Sequence, residues 1–373
     1  MKTIVISGTG LYTPPNCITN EELVAAFNEY VHHYNKEHAQ AIETGTLTAL
    51  QESSSEFIVK ASGIRQRYVM EKSGILNPAI MQPVIYERDS AQPSLQCEIA
   101  LAAAKEALQS ANKKVEDVDA VIVACSNLQR PYPAIAIEVQ AALGIKGFAF
   151  DMNVACSSAT FGLQMAADIV RSQQAKCVLA INPEICSAGL SFKDRDSHFI
   201  FGDACTAAVV EMQETAKSQQ AFAIISSKTL TQYSNNIRSN FGYLNALDPQ
   251  HEHSRDKLFT QNGRQVFREV VPMVVQLINQ HLAENKLTVA EIKRFWLHQA
   301  NVNMNNLIVE KLLGRAATRV EAPIILDEYA NTASAGSVIA FHKYHQDLVS
   351  GDLGLLCSFG AGYSIGSLIL RKL

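Results

Sequence analysis

Strand-length apolar runs alternate with helix-length stretches along nearly the whole chain, and that alternation limits the fold more than any other feature. The strand candidates are 3–7, 120–125, 148–151, 177–181, 207–211, 222–226, 295–297, 353–358 and 364–370. Helical spacing fills the gaps at about 94–111, 136–143, 157–172, 262–285, 302–313 and 334–349. Strands crossed over by helices bury both faces, so this order predicts α/β layers around a largely parallel sheet. Two segments break the rhythm: 24–52 is helical but polar, and 70–92 carries Pro78 and Pro83 with little periodicity. Both read as surface insertions, the kind that form binding lips.

A weak internal repeat sharpens the prediction. Lys113-Lys-Val-Glu-Asp-Val118-Asp-Ala-Val-Ile-Val-Ala124-Cys-Ser-Asn127 lies on Leu287-Thr-Val-Ala-Glu-Ile292-Lys-Arg-Phe-Trp-Leu-His298-Gln-Ala-Asn301. At nearly the same offset, Asp151-Met-Asn-Val-Ala-Cys156-Ser-Ser-Ala lies on Asp327-Glu-Tyr-Ala-Asn331-Thr-Ala-Ser-Ala. Identity is low, but two separate blocks agree on the offset. A duplicated α/β half, residues 1–212 and 221–373, would put Cys156 and Asn331 on matching strand-to-helix turns. His298 would then stand at the carboxyl end of another strand, where open α/β sheets gather their chemistry.

Bulk properties exclude several classes. A formal net charge of -4 leaves no electrostatic footprint for nucleic acid. No apolar run approaches the roughly 20 residues of a membrane span, and no signal-peptide pattern opens the chain. The eight cysteines lack Cys-x-x-Cys pairing, so neither a disulfide framework nor a metal site is expected, and a reducing cytoplasm fits.

Cys156 falls between an apolar strand-like run and a helical alternation, among small neighbours. Free N–H groups and the helix dipole at such a turn favour a thiolate. The plain alternative is a small buried cysteine packed like alanine. His298 has a similar alternative as a core histidine, Asn331 as a cap of the helix near Ser334, and the turn Phe359-Gly-Ala-Gly362 as a ligand-free tight turn.

In order and spacing, however, Ser62-Gly-Ile-Arg65, Asn153-Val-Ala-Cys156-Ser, Phe201-Gly-Asp203, His298-Gln-Ala-Asn301, Asn331-Thr-Ala-Ser-Ala and Phe359-Gly-Ala-Gly362-Tyr-Ser-Ile-Gly-Ser367 form a set. With that set the chain resembles β-ketoacyl-acyl-carrier-protein synthase III, a condensing enzyme of the thiolase-like superfamily. The resemblance implies a five-layered αβαβα fold of two similar halves, here with the helical and loop insertions in the N-terminal half, acting as a homodimer. It implies that Cys156 accepts an acyl group from an acyl-coenzyme A thioester, with the backbone N–H groups of Cys156 and Ala361 as oxyanion hole. His298 and Asn331 would then stabilise the enolate left when a malonyl thioester on acyl carrier protein loses carbon dioxide. No metal and no cofactor beyond these thioesters is implied.

Branches of the superfamily differ in the third group. Degradative thiolases carry a second cysteine at the position of Ser358, so Cys357 reads as a strand residue. Elongating synthases carry histidine where Asn331 stands, and hydroxymethylglutaryl synthases use a glutamate for which Glu184 is the nearest candidate. By the resemblance, substrate contacts fall on Phe57, Tyr132, Arg195, Arg264, Phe267 and Asn301, with Arg268 adding charge for the carrier. Phe57 and Ala61 stand where the family often has an adenine-clamping tryptophan and arginine, and Asn303 where it has a carrier-docking arginine. Tyr132 is expected to reach across a dimer and close the acyl pocket, while Ile75, Leu76, Ile80, Met81, Val84 and Ile85 lengthen it for a medium-chain primer. The other readings are a secondary-metabolite enzyme joining β-keto chains, a cysteine thioester hydrolase and a non-catalytic partner subunit.

Overall fold

In the computed structural model, which describes residues 2–89, 91–251 and 254–373, nine strands hydrogen-bond into one sheet. They are β1 (Ile4–Tyr12), β2 (Ala120–Ala124), β3 (Phe148–Met152), β4 (Cys177–Ile185), β5 (Asp203–Met212), β6 (Phe222–Ser234), β7 (Ile292–Leu297), β8 (Leu353–Gly360) and β9 (Gly362–Lys372). The helices that matter to the site are α1 (Asn20–Glu37), α2 (Ser55–Ser62), α3 (Leu95–Ser110), α4 (Ile135–Leu143), α5 (Ser158–Arg171), α6 (Gly263–Glu284), α7 (Val302–Leu313) and α8 (Ala335–Lys343).

The lateral order is β7-β8-β9-β6-β1-β5-β4-β2-β3. Numbered within each half, the first five strands run third-second-fourth-fifth-first, and the last four run second-fourth-fifth-first. In both, the second and fourth strands are parallel and the fifth is antiparallel to its two neighbours. Where the second half lacks its third strand, the Phe295 N–H donates to the Glu321 carbonyl at 2.7 Å, a single rung in the same place. Helices recur at matching positions, α3, α4 and α5 against α6, α7 and α8.

Burial alternates as the layers require. Along β2, Ala120, Ile122 and Ala124 join a core that also holds Leu163 of α5, Ile339 of α8 and Leu356 of β8. Val121 and Val123 face α3 and α4 instead. In the second half Trp296 points to that shared core, while Phe295 and Leu297 point to α6 and α7. Such period-two alternation places α5 and α8 between the two sheet halves and the other helices outside, five layers in all. Gly8 and Gly10 let β1 lie against α3, since a Cβ there would come within 2.4 Å of the Ala111 nitrogen and 2.1 Å of the Ala103 carbonyl.

One expectation needs correcting. The sheet is mixed rather than largely parallel, because β5 and β9 return beside their predecessors and β1 pairs antiparallel with both β5 and β6. Only crossovers through a helix yield parallel neighbours, and those are β2 with β3, β2 with β4, and β7 with β8. The 24–52 segment is helical in part, as α1 and the short helix Ala39–Glu43, whereas 70–92, of which Ser90 lies outside the described residues, forms turns without helix or strand.

Candidate active site

Cys156 lies in the turn from β3 into α5, two residues before the first helical residue. The turn is fixed from several sides. Ala155 adopts φ +47°, the Ser158 hydroxyl accepts from the Val154 N–H at 2.8 Å, and the Ser157 hydroxyl donates to the Ser364 carbonyl at 3.0 Å. A left-handed non-glycine residue is uncommon and persists when its surroundings over-determine it. Gly360, at the end of β8, packs against the nucleophile candidate: a Cβ there would lie 2.6 Å from Cys156 Cβ and 3.0 Å from Sγ.

Burial pushes the Cys156 thiol up to about 12, with the Glu184 carboxylate adding to it, while the backbone N–H groups of Ala361 and of Cys156 itself pull it back. Against the thiolate expected at a helix end, desolvation of the anion outweighs the main-chain contribution.

His298 follows directly on β7, where its N–H donates to the Cys357 carbonyl at 2.8 Å. Its ring stands edge-on to Phe359, centroids 5.3 Å apart, and is buried. Burial pushes it down to about 4, opposed by the Ala333 backbone, so the imidazole is neutral near pH 7. Its Nδ1 is buried without a hydrogen-bond partner among the described residues.

Asn331 bridges to Phe201: its N–H donates to the Ile200 carbonyl at 3.0 Å and its carbonyl accepts from the Gly202 N–H at 3.1 Å. The side-chain Oδ1 accepts from the Ala333 N–H at 2.9 Å. The carboxamide is thereby oriented, and among the described residues its Nδ2 has no protein partner, leaving two N–H donors unspent. The cap of α8 is Ser334 rather than Asn331. Ala330 and Ala333, either side of Asn331, take φ +56° and +45°.

Ala333, whose N–H orients the carboxamide, packs in the same apolar cluster as Phe201 and Cys156. Glu184 fastens the two halves beneath: it is fully buried and accepts from the Ser126 N–H at 2.8 Å, the Ser126 hydroxyl at 2.5 Å, the Ser334 N–H at 3.2 Å and the Ser334 hydroxyl. Those bonds make it a clamp between loops. Cys357 is a fully buried strand residue whose thiol burial pushes far up.

The outlying residues divide. The Arg195 guanidinium lies 4.1 Å from the Phe57 ring centroid, and its Nε donates to the Glu52 carbonyl at 2.7 Å. Asn301 is fully engaged: Oδ1 accepts from the N–H groups of Asn303 and Met304 at the start of α7, and Nδ2 donates to the Ala61 carbonyl at 2.8 Å. Arg264 and Arg268 are exposed in the first turns of α6, with Phe267 partly buried against the outer core. Tyr132 is 81% exposed. Ile75 and Met81 are buried, and Leu76 partly so, in the cluster that holds Phe201 and Cys156, whereas Ile80 and Ile85 are exposed.

Sequence reasoning missed Phe259, whose ring meets Phe201 edge-on at 4.7 Å, and Arg67, buried behind the Phe201 segment. The Phe201-Gly-Asp203 motif was a signal for the segment but not for what packs on it.

The 3-oxoacyl-acyl-carrier-protein synthase III model matches residues 150–231, and the C-terminal model of the same enzyme matches residues 282–372. A Pseudomonas aeruginosa protein named β-ketodecanoyl-acyl-carrier-protein synthase is 62% identical over 93% of this chain and 99% of its own. The chain belongs to the β-ketoacyl-acyl-carrier-protein synthase III family. A synthase III from Granulibacter bethesdensis is 30% identical over the full length of both. The solved synthase III of Aquifex aeolicus superposes with TM-score 0.76 over 99% of each chain at 26% identity. This synthase is therefore a thiolase-like condensing enzyme, an acyltransferase that makes β-ketoacyl thioesters in fatty-acid biosynthesis from thioester substrates. Among the described residues no helix is long and apolar enough to cross a membrane.

Proposed function

We propose that this synthase loads a medium-chain primer onto Cys156 and extends it by two carbons from malonyl-acyl-carrier protein. The named product of the 62% identical relative has ten carbons, and condensation adds two, so the primer proposed is octanoyl, carried by coenzyme A. The acyl carbon bonds to Cys156 Sγ as its bond to the carrier sulfur breaks, and the thiol proton leaves with the departing thiol. The tetrahedral oxyanion sits in the hole made by the N–H groups of Cys156 and Ala361. Malonyl thioester then loses carbon dioxide, and the enolate oxygen accepts from His298 and from Asn331 Nδ2. The enolate carbon attacks the acyl carbon, the bond to Sγ breaks, and the sulfur regains a proton from solvent. The steps balance with thioesters alone.

The observation that carries this reading is a meeting of three turns: Gly360 packs on Cys156, the His298 ring stands edge-on to Phe359 beside that glycine, and the Asn331 carboxamide, unspent at Nδ2, is oriented by Ala333 in the cluster that holds Cys156. Ile75, Leu76 and Met81 in the same apolar cluster support a deep acyl channel. Among the described residues the outer edge of β3 is unpaired and carries partly exposed Phe148, which with Tyr132 supports a homodimer across that edge. Exposed Arg264 and Arg268 support carrier-protein docking, Arg195 and Phe57 a contact with coenzyme A. The same reading divides the chain at 213–220, and eight free thiols support a cytoplasmic home.

Intact-mass measurement after exposure to octanoyl- and acetyl-coenzyme A is expected to show one octanoyl adduct that Cys156→Ala abolishes. Adding malonyl-acyl-carrier protein should discharge it as β-ketodecanoyl product, and His298→Ala or Asn331→Ala should load but not discharge. A clear acetyl preference rejects the medium-chain primer; release of free octanoate without malonyl donor marks a hydrolase instead.

A further inference from the structure

We propose that Arg67 is a positioning residue for Asn331, an inference that rests on the condensing role given to Asn331 above. Arg67 lies on the short strand Gln66–Val69 and is fully buried. Its guanidinium donates to the Ile18 carbonyl at 3.2 Å, to Asn20 Oδ1 at 2.8 Å and to the Phe199 carbonyl at 3.3 Å. No carboxylate bonds it among the described residues, and its Nε has no partner. A buried cation held by neutral acceptors is a costly choice for packing alone.

What the cation holds is the segment that aligns Asn331. Phe199 is followed by Ile200, whose carbonyl accepts from the Asn331 N–H, and by Gly202, whose N–H donates to the Asn331 carbonyl. Gly202 is pressed between the two sides: a Cβ there would lie 2.3 Å from the Tyr329 carbonyl and 3.2 Å from Arg67 Cβ. The end of the segment is tied to the same stretch of chain, since Asp203 Oδ2 accepts from the Met70 N–H at 2.9 Å. Arg67 is thus the rear wall of the bridge that fixes where the free Nδ2 of Asn331 points. Acyl transfer to Cys156 relies on other donors, the N–H groups of Cys156 and Ala361. Loosening Arg67 therefore separates the two half-reactions.

The test compares wild type, Arg67→Met, Arg67→Lys, Asn331→Ala and the double variant Arg67→Met/Asn331→Ala, using octanoyl-coenzyme A and malonyl-acyl-carrier protein. Loading of Cys156, read by intact mass, is expected to stay within about twofold, while discharge falls about a hundredfold, as displaced catalytic groups can cost. Arg67→Lys, which keeps the charge but reaches fewer acceptors, should recover part of the discharge, and the double variant should discharge no more slowly than Asn331→Ala. Discharge at the wild-type rate in both Arg67 variants overturns the proposal, as does a parallel fall of loading and discharge in Arg67→Lys, which keeps a scaffold role distinct. If Asn331→Ala itself discharges normally, the role given to Asn331 fails first.

Discussion

Burial at the candidate site strengthens the neutral forms of its thiol and its imidazole. Cys156 is held as a thiol, up at about 12, and His298 as neutral imidazole, down at about 4, and burial is the main cause of both. Attack on a thioester then needs the oxyanion hole to stabilise the adduct while the proton moves to the departing sulfur. Alkylation of Cys156 by iodoacetamide should be slow at pH 7 and climb about tenfold per pH unit up to pH 10, because the thiolate fraction grows tenfold per unit below the titration point. Peptide mass mapping separates Cys156 from the other thiols. A rate already flat between pH 7 and 8 would mean that the two N–H donors overcome burial.

At the scale of elements, the candidate site is made by strand ends and the turns that leave them. The β8 end brings Gly360 against the Cys156 turn, the β7 end brings His298, and the turn before α8 brings Asn331. Gly360→Ala should cut loading of Cys156 sharply and lower stability by about 1–3 kcal/mol, since the new Cβ falls 2.6 Å from Cys156 Cβ and 3.0 Å from Sγ; loading at the wild-type rate would show that the β8 turn yields. Asn301→Ala should instead lower stability by about 1 kcal/mol through the lost α7 cap, with KM for octanoyl-coenzyme A unchanged. A raised KM at unchanged melting temperature would restore Asn301 to the substrate. These elements were legible to different degrees. Apolar runs located every strand of the sheet, because both faces of most are buried. They did not show that β6 continues from Ser226 to Ser234, where the residues are mainly polar and partly exposed. Strand direction was misjudged as well, since apolar periodicity records burial and carries no information on which neighbour a strand meets. Cys156, His298 and Asn331 were readable as motifs, yet Arg67 was not. An arginine two residues past Arg65 reads as surface charge until the fold encloses it.

Across the whole molecule, the same burial that sets the site's chemistry makes the fold sensitive to acid. Burial pushes His198, His281 and His298 down to about 4, and lowers His342 and His345 as well. Between roughly pH 6.5 and 4 the unfolded chain binds protons that these folded imidazoles refuse, so their contribution is complete above 6.5 and drains away as pH falls. Buried Asp203, raised to about 6, with Asp151 and Glu184 also raised, acts in the opposite sense, since the folded state keeps those protons more firmly. Carboxylates held low add to the imidazoles as pH falls through 4, among them Glu321, which the Arg315 guanidinium holds down to about 2, and acidification is destabilising. The melting temperature should fall steadily from pH 6.5 to 4, as scanning calorimetry would record. His281 offers a probe remote from the reaction: its two ring nitrogens bond the Ser226 and Ser367 hydroxyls at 3.0 Å, between α6 and the second half of the sheet. His281→Gln retains a donor and an acceptor but cannot titrate, so it should flatten the pH slope of the melting temperature while loading and discharge of Cys156 stay as in the wild type. An unchanged slope would place the acid sensitivity elsewhere, with the imidazoles at and around the site as the next to be replaced.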